Sequence, residues 1–285
     1  MIWTRSDIVD APAASAGAAA PPRDAIGATA IGAGCVALAV IAALVQMRTT
    51  GTATPTADSL AYFAVADQIA KVGYGPALPL HWSALYPLYL LLLRRLTAGQ
   101  AIDELALTSA GDAVLLVAAC GVTALALVSV ASRCWPERPR VQASWVAAGC
   151  ATALFLCFAD LRVGLRMPDA LVTSLAVATV ALWAHAIDRG MDLRFAAAAG
   201  LTSGLAFLTR ANLLHWSIGV ALVALTVDPA ALRRRAAALA VFAAALTLVS
   251  APHVVALSRA RGHFVYGESG KLVFAETYGA TWASD

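Results

Sequence analysis

Two carboxylates and two guanidinium groups in this sequence have the chemistry to act together on a phosphate ester: Asp58 and Asp169, Arg166 and Arg210. A carboxylate can take a proton from an attacking hydroxyl, and an arginine can neutralise a phosphate as it leaves. Tyr62 and His81 share the chain segment of Asp58 and are candidates to line the same site. The four charged residues come from three separate regions, and each lies at or near the edge of an apolar stretch. Ionisable side chains at membrane depth are expensive and usually mark functional sites.

The elements that must position them are membrane helices. Seven stretches lack any acidic or basic residue: 25–47, 113–132, 141–159, 170–187, 195–209, 211–227 and 236–258. A bilayer core about 30 Å thick needs roughly 20 apolar residues in a helix, with shorter spans accommodated by snorkelling or thinning. Hydrophobic residues make up 60% of the 285 and charged residues 13%, well below the share in a soluble domain. The fold class expected is therefore all-α, a bundle of about seven transmembrane helices. A formal charge of +3, dispersed along the chain, gives no case for nucleic acid as a partner. The five cysteines show neither a CxxC pair nor a metal-ligand spacing, and the four inside apolar stretches (Cys35, Cys120, Cys150 and Cys157) read as small apolar packing residues. Residues 1–24, rich in Ala and Pro, read as a disordered cytoplasmic tail, because a cleavable leader would need a more positive start and a shorter apolar core.

With the N-terminus inside, the short loops holding Arg133, Arg138 and Arg140, then Arg189 and Arg194, then Arg233, Arg234 and Arg235 become cytoplasmic. Basic residues are denser there than in the external segments, as the positive-inside rule requires. The first external loop, 48–104, then holds two helices that do not cross. Residues 58–72 place Tyr62, Val65, Ala66, Ile69 and Val72 on one apolar stripe, with Asp67 and Lys71 opposite as a solvated i, i+4 pair. Asp58 falls on the Tyr62 face, where it can cap the helix, serve as a functional carboxylate, or both. Pro76, Pro79 and Pro87 delay the next helix to about Trp82–Leu93, too short to span, with Trp82, Tyr86 and Tyr89 at headgroup level. Downstream, Pro168 suits a first helical turn and puts Asp169 at a helix N-terminus, while Arg210 stands at a helix C-terminus. Both placements also satisfy the helix dipole. A lipid-linked sugar phosphate would present its phosphate at this depth. Asp112 and His185, inside or near spans, read as structural.

The order of these features resembles the GT-C superfamily of polyprenyl-phosphate-dependent glycosyltransferases, especially the branch of protein O-mannosyltransferases and lipid A aminoarabinose transferases. The likeness rests on an early external acid before a helix in TADSLAYFAVADQIA, on the aromatic LHWSALYPLYLLLLRRL, on LRMPDALVTSLAVA and on GLAFLTR, and covers roughly residues 25–275. It implies a GT-C-like core over 25–258 and an external C-terminal segment over 259–285, in a multi-pass protein of the bacterial inner membrane serving the cell envelope. Asp58 resembles the catalytic acid of the external loop, Asp169 the second acid, and Arg210, helped by Arg166, the cation beside the carrier phosphate. The implied partners are a polyprenyl-phosphate sugar donor, membrane lipids, and a protein, lipid or glycan acceptor. No cofactor is certain; a divalent metal stays open, since two or three acids are too few to establish a hard-cation site. Many members carry Lys-Pro-Pro or His-Pro-Pro where this chain has His81-Trp82-Ser83, which weakens the case for phosphate contact there. Members are also commonly longer, so the chain is expected to be either a fragment or a short form holding the donor-binding core. The rival expectation is a non-catalytic carrier of lipid-linked sugars or a small transporter, for which transporters offer internal repeats and broken mid-membrane helices; the two halves show no convincing repeat, and the charges cluster at one membrane face rather than mid-bilayer.

Overall fold

The computed structural model describes residues 25–49, 57–77, 84–97, 104–158, 168–227 and 231–267. Among them are nine helices and no strand: α1 (Ala25–Thr49), α2 (Ala57–Val72), α3 (Leu85–Leu96), α4 (Glu104–Cys134), α5 (Pro139–Phe158), α6 (Asp169–Asp188), α7 (Leu193–Thr209), α8 (Leu213–Val227) and α9 (Leu232–Arg261). Four of these, α1, α4, α6 and α9, are long and apolar enough to cross a membrane, while α7 and α8 are apolar but shorter. The chain thus has the make-up of an all-α, multi-pass membrane protein. Residues 1–24 and 268–285, including the expected cytoplasmic tail, lie outside the described residues.

Contacts along the helices fix their relative directions. Gly32 of α1 meets Ala124 and Val128 of α4, and Ala39 packs with Leu116 and Cys120, so α1 and α4 run antiparallel. Leu127 of α4 covers Gly149 of α5, and the Cys35 thiol faces the Cys150 carbonyl at 3.7 Å, which brings α1, α4 and α5 into one cluster. Leu115 of α4 lies with Leu171 of α6, and Ser129 donates to Asp188 at 2.5 Å, so α4 and α6 run parallel. The hydroxyls of Thr179 and Thr202 meet at 2.8 Å where α6 crosses α7. The ends therefore segregate. The last turns of α1, α5, α7 and α9 share one end of the bundle with the first turns of α4, α6 and α8. Arg133, Arg138, Arg140, Arg189, Arg194 and Arg233 to Arg235 gather at the other.

Helix α7 is the centre. Ala196, Ala199, Gly200, Ser203, Gly204, Ala206 and Phe207 are all buried, and its most extensive partner is α9. Gly200 and Gly204, four residues apart, form a small-xxx-small face that lets two backbones approach. A methyl group added at Gly200 would run into the Phe242 carbonyl and come within 2.8 Å of Ala245 Cβ; one at Gly204 would lie 2.8 Å from Val249 Cβ. Pro252 lies inside α9, one turn beyond this contact.

The cysteine reading holds for Cys35, Cys120 and Cys150, which are buried; Cys134, at the end of α4, is exposed. Gly200→Val should lower the thermal midpoint of the detergent-solubilised protein, since forcing a side chain into a filled contact costs about 1–3 kcal/mol and here meets backbone. Gly219→Ala on α8, where an added Cβ meets nothing within 4 Å, should leave the midpoint unchanged or slightly higher. Equal losses in the two variants would show that the α7–α9 approach is not tight.

Candidate functional site

Asp169 and Arg210, 41 residues apart in sequence, meet at the end of the bundle away from the arginine-rich loops. Asp169 is the first residue of α6, set by the buried Pro168, whose φ of −63° already suits a helix. Arg210 ends α7: it turns to extended backbone (φ −148°, ψ 120°) while its N–H still bonds the Ala206 carbonyl. From there its Nη2 donates to Asp169 Oδ1. The two side chains are 48% and 41% exposed, so solvent screens the pair and it contributes at most about 1 kcal/mol to stability. A guanidinium has five N–H donors, and one bond to Asp169 leaves others for an anion.

Helices α2 and α3 pack onto the same end. Tyr62 of α2 is buried and edge-on to Tyr86 of α3, with ring centroids 5.0 Å apart at 80°. This pair shares a cluster with Leu90 and with Leu171, two residues past Asp169. The Ala84 N–H bonds the Leu208 carbonyl at 3.0 Å, which ties the start of α3 to the last turn of α7 beside Arg210. Asp58 stands in the first turn of α2, one turn before Tyr62; α2 begins at Ala57, so Asp58 is inside the helix rather than at the cap position. Its side chain lies outside the described residues, as do His81, Trp82 and the segment carrying Arg166. The structure thus unites Asp169 with Arg210 and sets α2, with Tyr62, against the same end.

Three expectations change. The second external helix runs Leu85–Leu96 rather than Trp82–Leu93. Tyr86 does not present itself to headgroups: α2 covers it, and it is fully buried against Tyr62. Asp67 does not simply face solvent with Lys71, because Arg94 reaches it at 2.7 Å and also binds Glu104, linking α2, α3 and α4. Burial alone would lower the Arg94 pKa, but the hydrogen bonds it donates to Glu104 and Asp67 outweigh that and raise the pKa above its ordinary value. The RR pair at 94–95 was legible as a helix end; which acids it would meet was not.

Two polar groups near this end were not singled out as functional. Asp112, three residues before Leu115 on α4, is buried, and its Oδ1 has no hydrogen-bond partner among the described residues. The Tyr89 hydroxyl lies beside it, short of a completed hydrogen bond, and packs on Gly111, where an added Cβ would make the Tyr89 and Leu93 side chains shift. Burial first, then the Asp112 carboxylate, hold the Tyr89 hydroxyl far above its usual range, so it stays protonated. Tyr74, in the turn after α2, bonds His253 Nδ1 of α9 at 2.6 Å, and burial pushes its hydroxyl up to about 12. Among the described residues no three His, Cys, Asp or Glu side chains gather as a metal site. Cavities among the described residues lie elsewhere. One, about 390 Å³, lies at the arginine-rich end; another, about 200 Å³, lies between α8 and α9.

Comparison of the chain with protein families, with curated proteins and with solved structures finds no match.

Because the Asp169–Arg210 pair is half exposed, Asp169→Ala and Arg210→Ala should each shift the thermal midpoint only slightly, and a double-mutant cycle should give a coupling below about 1 kcal/mol. A coupling of several kcal/mol would mean that the pair holds α6 to α7 rather than standing ready for a ligand.

Proposed function

We propose that the chain is an integral-membrane glycosyltransferase that moves a sugar from a polyprenyl-phosphate donor to an acceptor on the extracytoplasmic face. The observation that supports it most is the meeting of Asp169 with Arg210 at the bundle end onto which the helix of Asp58 packs. In this reading α1 and α4 to α9 are seven spans, α2 and α3 lie in the external interface, and the arginine-rich end faces the cytoplasm. The resemblance to GT-C enzymes supplies the roles.

The acceptor oxygen attacks the anomeric carbon of the donor sugar as the bond from that carbon to the phosphate oxygen breaks, inverting the centre. Asp58 takes the proton of the attacking hydroxyl. Arg210, with Arg166, stabilises the departing lipid phosphate, and Asp169 orients the guanidinium and the donor sugar. The lipid tail of the donor runs down between the helices while its phosphate stays at their ends.

Asp58→Asn should lower transfer by about a hundredfold or more while the protein still inserts and remains folded. The assay follows a donor labelled in both sugar and lipid. An enzyme releases free polyprenyl phosphate, whereas a carrier moves the donor intact, and release at the wild-type rate by the Asn variant removes Asp58 as the base.

Orientation has its own test, through Cys134 beside Arg133 at the arginine-rich end. In a Cys157→Ser background, with Cys35, Cys120 and Cys150 buried, a membrane-impermeant maleimide should label inverted vesicles and not right-side-out ones. The reverse pattern would put the Asp169–Arg210 end in the cytoplasm.

A further inference from the structure

The cavity of about 390 Å³ at the arginine-rich end is walled by Arg189, Asp192, Leu193, Arg194, Arg234 and Ala237. Its three guanidinium groups come from three elements: Arg189 closes α6, Arg194 begins α7, and Arg234 lies in the first turn of α9. The turn between α6 and α7 holds them in place. Gly190 (φ 66°) donates to the Ile187 carbonyl and Met191 to the Ala186 carbonyl, a helix stop that uses two otherwise orphaned acceptors. Met191 is itself left-handed (φ 62°), which side chains rarely tolerate, and its burial with Trp183, Ala186 and Ala196 keeps it there. Arg189 lies over the Phe195 ring at 4.7 Å.

The charge in the cavity is unbalanced. No carboxylate among the described residues forms an ion pair with Arg189, Arg194 or Arg234. Asp192, the acid in the wall, is occupied as the N-cap of α7, accepting from the Arg194 N–H at 2.8 Å. Asp188 is taken by Arg133 and Ser129. One apolar side chain of the wall, Leu193, is 43% exposed. A cationic recess at the end of apolar helices, with an exposed leucine in its wall, fits a ligand that is anionic at the head and apolar behind it.

We propose that this pocket binds the phosphate of an anionic glycerophospholipid, with the headgroup among Arg189, Arg194 and Arg234 and the acyl chains beside Leu193. The site lies at the other end of the bundle from Asp169 and Arg210 and does not depend on the transferase reading. Phosphate is the chemistry recognised; Leu193 and the apolar helices that end here select a lipid over the free ion.

The test is native mass spectrometry of the full chain in detergent, titrated in separate arms with phosphatidylglycerol, phosphatidylcholine, and phosphatidylglycerol plus inorganic phosphate. Phosphatidylglycerol should bind at least fivefold tighter than phosphatidylcholine. Each of Arg189→Gln, Arg194→Gln and Arg234→Gln should weaken it by about fivefold. Arg259→Gln, on the far end of α9, should leave it unchanged. Ala237→Glu keeps all three arginines, sets a carboxylate in the wall, and should weaken binding as much, which guards against a fold defect in the Gln variants. Equal affinity for the two lipids, or undiminished phosphatidylglycerol binding in both the Gln and Glu variants, overturns the proposal. Displacement of phosphatidylglycerol by low-millimolar inorganic phosphate overturns it too, because the pocket would then be a site for the soluble ion.

Discussion

The close approach of α7 and α9 at Gly200 and Gly204 is the contact on which the bundle depends. In lipid there is no hydrophobic drive between helices, so association rests on van der Waals packing, and packing is tightest where side chains vanish. Phe242 and Val249 fill the space that two missing Cβ atoms leave. With one side of α7 committed to α9, its alanines and Ser203 remain for other neighbours, and α6 crosses it at the Thr179–Thr202 contact. Arg210 projects from the end of this fixed helix, and its partner Asp169 from the start of α6. The geometry of the candidate site is thus inherited from small residues well below it.

The segment of α2 and α3 is held by a different kind of force. Tyr62 and Tyr86 bury their rings against each other, and Arg94 reaches across to acids on α2 and α4. Tyr74 closes the arrangement through His253 on α9. Two short helices that could not stand alone are joined to each other by Tyr62–Tyr86 and Arg94–Asp67, and pinned to α4 and α9 by Arg94–Glu104 and Tyr74–His253. This is how a loop of more than fifty residues brings the turn bearing Asp58 to the same end as Asp169.

Much of this was legible in the sequence, for a physical reason. Lipid tolerates neither charge nor unpaired backbone, so helix positions and the location of charges at their ends follow from where Arg and Asp interrupt the apolar runs. The start of α6 and the ends of α1 and α7 follow from that rule, helix α2 from its i, i+3, i+4 apolar stripe, and the convergence of Asp169 with Arg210 from the alternating directions of the spans. Partner choice does not. Arg94 satisfies acids from two other helices, and Tyr86 turns inward because α2 happens to cover it; neither fact is written in local spacing. The GLTSG face of α7 carried a readable signal, glycines four residues apart, that apolarity alone obscured. The turn at Gly190 and Met191 carried half of one, since glycine announces a left-handed residue but methionine does not.

Pro252 gives α9 mechanical character of its own. It has no N–H to offer the Leu248 carbonyl, so one rung of the hydrogen-bond ladder is missing directly above the segment clamped by Gly204. The lower part of the rod stays locked in the bundle, while the upper part, carrying His253, is joined to it by its weakest rung. The Tyr74 hydrogen bond therefore meets α9 beside the one residue of that region that cannot donate within the helix.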